Sequence, residues 1–406
     1  MSQSLWVGLG VITASLLSAC GGGGVGGSSS GTGGSSSSSG GLSSRCDLAP
    51  TLTTPGVISV TTLATGLQNP WGLAFLPDGS GRALVTERPG RMRLMQANGN
   101  LSAPIANLPS VHAQGQGGLL DVVLDPSFGS NNTIYWSYSE AGAGGTSGTA
   151  VARGVLNINT LTLSSVTVIY RQQPKLTGNN HYGSRLTFAG DGSLFITLGD
   201  RQVDPTLGSS HPAQNLDQPV GKVVRITSAG GIPTDNPYAA ASGERRYVWS
   251  LGHRNPQGAT VHPSTGQLWV TEHGAQGGDE INIVQAGRNY GWPVISYGLH
   301  YGGAAIGEGR TKAGMEQPVC YWDPSIAPGN ITFYTAGNVA AWQGNLFAAV
   351  LKDTSLVRLA FNGNQVSGYQ RIPMNARIRD VQVGPDGWLY LLTDENSGEV
   401  RKLVVQ

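Results

Sequence analysis

Between residues 67 and 406 the chain repeats one unit six times: an apolar strand, a turn rich in Pro, Asp, Gly or Ser, and a second apolar strand. The copies are WGLAFLPDGSGRALVTE (71–87), LLDVVLDPSFGSNNTIYWSYS (119–139), SRLTFAGDGSLFITLGD (184–200), QGATVHPSTGQLWVTEH (257–273), AAWQGNLFAAVLKDTSLVRLAF (340–361) and RDVQVGPDGWLYLLTDE (379–395). Turns of the Asp-Gly and Ser-Thr-Gly kind between alternating strands are hairpin signals. A lone hairpin can bury one face only against a neighbour, so the copies must pack around an axis. Six copies predict an all-β, six-bladed β-propeller, which leaves only short, protected strand edges. The 61 glycines fit a turn-rich chain, and no segment carries a long 3.6-residue apolar period. The spacing is uneven. The long intervals, 201–250 and 276–335, predict loops gathered at one end, where function is expected.

The last copy ends almost at the terminus and is one strand short. Residues 57–64 (VISVTTLA) form an apolar–polar run before the first copy. Pairing them into the last blade would close the ring and remove two exposed edges at once.

The N-terminus reads as a separate unit. Leu5 to Leu17 is apolar but too short to span a bilayer, and Leu17-Ser18-Ala19-Cys20 resembles a bacterial lipobox, although Met1 to Trp6 holds no Lys or Arg. Residues 1–20 are expected to be a lipoprotein signal, with Cys20 the lipid anchor of a periplasmic or outer-membrane-anchored protein. Residues 21–44, almost all Gly and Ser, are expected to be a flexible linker reaching on the order of 27 Å, and 45–406 the propeller. Cys46 and Cys320 then remain, compatible with one disulfide or with two separate thiols. A net charge of +1 gives no reason to expect nucleic acid.

Charged residues make up only 12% of the chain, yet His253, Arg254, Glu272, His273, Asp279 and Glu280 cluster within GHRNPQG (252–258) and TEHGAQGGDEIN (271–282), followed by NYGWP (289–293). Carboxylates, carbonyls and an arginine on glycine-rich loops suit a hard cation beside an anionic organic molecule. His181, one of seven histidines, immediately precedes an inner strand and would face the funnel, as a general base or, more commonly for a lone histidine, as a satisfied structural residue. Asp200 closes the following strand, as its partner or as a turn cap. Arg254, Lys352, Arg377 and Arg379 are candidate anion contacts. Arg377 and Arg379, two apart, would share one side of a strand, functional or merely exposed.

These segments, with GQGGLLD (115–121), HYGSRL (181–186), LGDR (198–201), LKD (351–353) and RIRD (377–380), resemble the soluble quinoprotein sugar dehydrogenases, most closely the aldose branch. The resemblance covers about residues 55–406. It implies a six-bladed propeller that uses pyrroloquinoline quinone and calcium. It makes His181 the base that takes the sugar hydroxyl proton and also a quinone contact, Asp200 the residue that orients it, and Arg254 a catalytic and quinone contact. It adds Gln116, Asn255, Tyr301, Ser325, Lys352, Arg377 and Arg379 as quinone contacts. Gly274 and Ala275 would bind a catalytic calcium through their carbonyls, and Glu280 and Tyr290 a structural one. Where glucose-specific relatives have Gly-Pro, this chain has Gly274-Ala275, and carbonyl ligation does not need the proline.

The expected activity is oxidation of aldoses at the anomeric hydroxyl to lactones, with hydride passing to the quinone C5 and electrons leaving to an external acceptor. A monomer or weak dimer is expected. Two other readings remain at this stage: a calcium-dependent propeller lactonase, and a non-catalytic binding propeller. The absence of a G-x-G-x-x-G motif opening a βαβ unit disfavours NAD.

Overall fold

Six four-stranded antiparallel sheets form the ring in a computed structural model that describes residues 42–335 and 337–406. The expected signal segment and Cys20 lie outside the described residues. Blade 1 holds Pro70–Phe75, Ala83–Glu87, Arg91–Met95 and Leu101–Pro104. Blade 2 holds Leu119–Leu124, Thr133–Ala141, Ser147–Asn157 and Thr162–Arg171, and blade 3 Gly183–Phe188, Leu194–Leu198, Lys222–Ile226 and Val248–Leu251. Blade 4 holds Pro256–Val261, Leu268–Glu272, Asp279–Val284 and Cys320–Trp322. Blade 5 holds Pro328–Phe333, Leu346–Val350, Ser355–Asn362 and Gln365–Pro373. Blade 6 holds Ile378–Val383, Leu389–Thr393 and Gly398–Val405, and is completed by Ile58–Leu67.

That last pairing closes the ring as the sequence predicts. Ile58 faces Val405 and Leu67 faces Gly398, so the first and last strands are zipped into one sheet. The core lies between blades. Leu84 and Leu94 of blade 1, for example, pack with Val122, Ile134 and Trp136 of blade 2. Such face-to-face sheet packing is what a period-2 strand with one apolar face demands.

Every inner strand breaks register against its second strand near its start: between Pro70 and Leu73, Leu119 and Val122, Gly183 and Leu186, Pro256 and Gly258, Pro328 and Ile331, and Ile378 and Asp380. These bulges free backbone groups that must be satisfied. In three blades a hydroxyl on the second strand does so. Thr86 Oγ1, Ser137 Oγ and Thr197 Oγ1 accept from Gly72, Asp121 and Arg185 N–H, each at 2.9 Å. The same hydroxyls donate to Leu120, Ser184 and Pro256 carbonyls in the next blade, and Thr271 donates to Gly329.

Residues 43–54 run as a strap over outer strands. Ser43 N–H donates to Tyr297 Oη at 2.8 Å and its hydroxyl to Pro318 O at 2.6 Å. Leu52 N–H donates to Tyr369 O, and Tyr369 N–H to Pro50 O. Cys46 and Cys320 are joined in a disulfide that encloses a sequence separation of 274 residues. Cross-linking so long a loop restricts the unfolded chain by about 5 kcal/mol in the chain-entropy model. The Cys46→Ser/Cys320→Ser protein is therefore expected to melt well below the parent in the absence of reductant. An unchanged denaturation midpoint would show that the strap carries none of the stability.

Candidate active site

All six inner strands are buried over their first four residues, and in five of them the last two are more open. The polar residues of interest sit just before these strands or just after the second strands, at the same end of the axis. The axial cavity at the opposite end, about 360 Å³, is lined by later residues such as Phe75, Leu124, Thr187, Thr260, Thr332 and Val383.

His181 precedes Gly183 with φ 49°, a left-handed backbone that few non-glycine residues adopt. Two contacts hold it there. Gln116 Oε1 accepts its N–H at 2.9 Å. Gly199 lets the chain approach: a Cβ there would lie 2.1 Å from His181 O. His181 Nδ1 meets Asp200 Oδ1 at 2.7 Å. Asp200 also takes Trp292 Nε1–H on Oδ2 at 2.8 Å and Gln202 N–H on Oδ1 at 2.8 Å. Burial opposes ionisation of Asp200, but the His181 bond and the charges of His181 and Arg254 outweigh it, so the carboxyl titrates below its ordinary range. An ionised Asp200 fixes the proton of neutral His181 on Nδ1 and leaves Nε2 as the basic nitrogen.

Arg254 follows in the next blade. Its N–H donates to Glu272 Oε2 at 2.7 Å, and its Nη1 donates to His273 O at 3.0 Å and to Gly274 O. Its guanidinium lies 5.3 Å from the centre of the Trp292 ring. His273 Nε2 meets Pro328 O at 2.8 Å. Burial, then the charges of Arg379, Arg254 and His181, push its imidazole down to about 3, so it stays neutral. His273 thus lies within electrostatic reach of Arg254, Arg379 and His181.

Arg379 is buried, with Nη2 on Asp394 Oδ2 at 2.5 Å and Nη1 on Gln257 Oε1. Arg377 is half-exposed, 3.8 Å from the same Asp394 oxygen, and its Nη1 donates to Leu351 O at 3.4 Å. The two arginines thus share a side, as their spacing predicts, and Asp394 is their common counter-ion. Lys352 is exposed, and its N–H donates to Ile326 O at 3.0 Å, next to Ser325. Ser325 Oγ bonds both oxygens of Asp279, at 2.8 and 2.7 Å. Asn255 is buried and its Nδ2 has no partner among the described residues. Tyr301 is 73% exposed, on a loop tied through Leu299 to Gln276, next to Ala275.

Of the residues read as calcium ligands, Glu280, Tyr290 and Gly274 line one small void of about 20 Å³, together with Glu272, Gly252 and Arg254. Desolvation and then the charge of Glu272 push the Glu280 carboxyl well above its ordinary range. Asn282 Nδ2 bridges the two glutamates, while its Oδ1 is buried without a partner. The Tyr290 hydroxyl is spent on Ile283 O at 2.6 Å, which leaves its carbonyl as the available donor. Two crowded carboxylates and an orphaned amide oxygen fit a hard cation. The Gly274 carbonyl instead accepts from Arg254. A guanidinium and a divalent ion on one oxygen repel, so this position fits an ion only with Arg254 turned away. Among the described residues no three His, Cys, Asp or Glu side chains gather into a metal-holding group. Any cation here would rest largely on carbonyl and amide oxygens.

Trp292 and Asp394 carried no role in the sequence, and Asp279 no partners. Asp279 accepts from Gly274 N–H, Ile326 N–H and Ala327 N–H besides Ser325, and so pins the Gly274 loop to the Ser325 loop. The usable signal for Trp292 was its place in NYGWP, inside the polar stretch already singled out.

Comparison with known proteins gives a consistent picture. Residues 67–402 match the family model described as Glucose / Sorbosone dehydrogenase. Aldose sugar dehydrogenase YliI of Escherichia coli strain K12 is 47% identical over 353 residues, covering 86% of this chain and 93% of that protein. The apo-form crystal structure of soluble aldose sugar dehydrogenase from Escherichia coli superposes with a TM-score of 0.82 at 46% identity, over 86% of this chain and 100% of that one. The PQQ-bound form of aldose sugar dehydrogenase from Streptomyces coelicolor gives 0.70 at 26% identity, over 87% and 100%.

Trp292→Phe would remove the buried donor to Asp200 Oδ2. It is expected to cost about 1–3 kcal/mol of stability. A denaturant titration showing no change would mean that the indole N–H contributes nothing to holding Asp200.

Proposed function

The chain belongs to the glucose/sorbosone dehydrogenase family and is a sugar-oxidising oxidoreductase, and from that premise we propose that it oxidises aldoses at the anomeric hydroxyl with pyrroloquinoline quinone and calcium. The observation that carries the reading is the His181–Asp200 pair at 2.7 Å, set beside Arg254 and Arg379 at the end of the axis where the inner strands begin. The residues present fit an anionic cofactor: Arg377 and Arg379 share one carboxylate, Asp394, the Arg254 guanidinium meets backbone carbonyls, and Asn255 Nδ2 and Arg379 Nε are buried without partners. A PQQ-bound relative at 26% identity supports the same choice.

His181 Nε2 takes the proton of the anomeric hydroxyl. Asp200 keeps the imidazole in the tautomer that can do so and stabilises the imidazolium that forms. Trp292 and Gln202 hold Asp200 in place. Gln116 orients His181 from the backbone side, and Arg254 places positive charge where oxyanion character develops. Arg377, Arg379 and Lys352 hold cofactor carboxylates, with Asn255, Ser325 and Tyr301 as polar contacts. Pyrroloquinoline quinone, held by these residues, would supply the hydride acceptor, and a calcium ion, which Gly274 and Ala275 would hold through their carbonyls with Arg254 turned from Gly274 O, would supply a Lewis acid. Glu280 and the Tyr290 carbonyl would hold a second, structural ion. The lactone product leaves, and electrons pass to an external acceptor.

A lactonase reading calls for a metal on several carboxylates, and the described residues gather no such set. A purely binding propeller has no use for a buried His–Asp pair. The disulfide suits an oxidising compartment, in keeping with a periplasmic protein anchored through Cys20.

Purified apo-protein is expected to reduce a redox dye with aldoses only when both quinone and a divalent ion are supplied. Turnover with NAD alone, or with neither addition, would refute the cofactor assignment. His181→Ala should lower turnover at least ~100-fold while quinone still binds, whereas Arg379→Ala should weaken quinone affinity first. The reverse pattern would exchange the two roles.

A further inference from the structure

The site residues recur at one structural position. The register pairs Glu87 with Pro70, Leu198 with Gly183, Glu272 with Pro256, Val350 with Pro328 and Thr393 with Ile378. One residue beyond these second-strand ends stand Arg88, His273 and Asp394; two beyond stand Asp200 and Lys352. A shared hydrogen bond marks the equivalence. The N–H of Arg88, His273, Leu351 and Asp394 donates to the carbonyl of Asn69, Asn255, Ala327 and Arg377 respectively, each just before an inner strand. Blades 3, 4, 5 and 6 thus deliver Asp200, His273, Lys352 and Asp394 to the end of the axis. Blade 1 delivers Arg88.

Arg88 lies at the seam of three blades. Asn69 N–H donates to Glu395 O of blade 6, beside Asp394, and Arg88 O accepts from Leu119 N–H of blade 2. Arg88 Nη1 donates at 3.1 Å to Gly115 O, next to Gln116, which in turn holds His181. Gly118 is required for this approach, since a Cβ there would lie 2.0 Å from Arg88 O. The charge balance is lopsided. Burial and the guanidiniums of Arg379 and Arg377 push Arg88 below the ordinary arginine range, with Asp394 the only carboxylate opposing them. Three guanidiniums therefore face one carboxylate. Arg88 Nε, Arg379 Nε and Asp394 Oδ1 are all buried without a partner. Buried donors left unpaired in a site with surplus positive charge call for an anion.

We propose that Arg88 is a further anion-binding residue of the active site, reaching a carboxylate of the cofactor from blade 1 together with Arg377 and Arg379. This rests on the quinone reading above. The experiment is a titration of the full apo-chain with pyrroloquinoline quinone in the presence of calcium, followed by quenching of tryptophan fluorescence, for the parent, Arg88→Gln and Arg88→Lys. Gln can keep a donor for Gly115 O but removes the charge; Lys restores the charge. The proposal expects Arg88→Gln to raise Kd about 10- to 100-fold, with a shallower salt dependence, and Arg88→Lys to recover much of the loss. Equal Kd for Arg88→Gln and the parent would overturn it. So would a Lys variant no better than Gln, or a Gln variant that fails to fold while the Lys variant folds and binds like the parent, since Arg88 would then serve the fold. If the parent itself does not bind the quinone, the cofactor reading fails first, an outcome distinct from a parent that binds and a variant that binds equally well.

Discussion

Thr86, Ser137, Thr197 and Thr271 stand at matching places on second strands, and each hydroxyl reaches across to the next blade's inner strand. The hydroxyls of the first three also satisfy a backbone N–H freed by the bulge in their own blade. One small side chain thus stitches two sheets where regular pairing has been given up. Adjacent residues carry the stitching further with charge. Asp121 accepts from Arg185 Nη1 at 2.8 Å and from Leu186 N–H at 2.8 Å, and Asp380 accepts from Leu73 N–H and Asn330 Nδ2. The inner strands are locked to one another at this level. What lies beyond it, toward their starts, is free to be functional.

The polar groups at that end are arranged to hold charge away from water. Asp200 is ionised because His181, Trp292 and Gln202 face it, despite its burial. His273 is neutral because it is desolvated among cations. An imidazole kept neutral beside Arg254 and Arg379 adds no repulsion, and the backbone carbonyl of His273 anchors Arg254. The cationic excess is useful only with an anionic occupant, which is why the unpaired Asn255 Nδ2 and Arg379 Nε are informative rather than defects.

The blades were legible in the sequence because each hairpin announces itself by alternating strands and a turn with specific chemistry. The closing strand was legible because the last copy was short of a partner and residues 57–64 were not. The roles of His181 and of the calcium ligands were legible only through family resemblance; nothing in a lone histidine before a strand distinguishes a base from a structural residue. Asp394 and Trp292 were missed for a physical reason. Their partners, Arg379 and Asp200, are 15 and 92 residues distant; the first pair meets at the open end of the blade 6 hairpin, the second only through the packing of separate blades. Arg88 lay at the end of the first repeat copy, and its equivalence to His273 emerges only from register. The strap at 43–54 carried no pattern at all, since its bonds depend on which outer edges happen to lie beneath it.

The most direct test of the central claim is a crystal structure of the chain soaked with pyrroloquinoline quinone, calcium and an aldose. The account predicts quinone carboxylates against the Arg377–Arg379 side, with the sugar's anomeric hydroxyl within hydrogen-bond distance of His181 Nε2. A quinone bound in the cavity at the opposite end of the axis, or a sugar oriented away from His181, would contradict it.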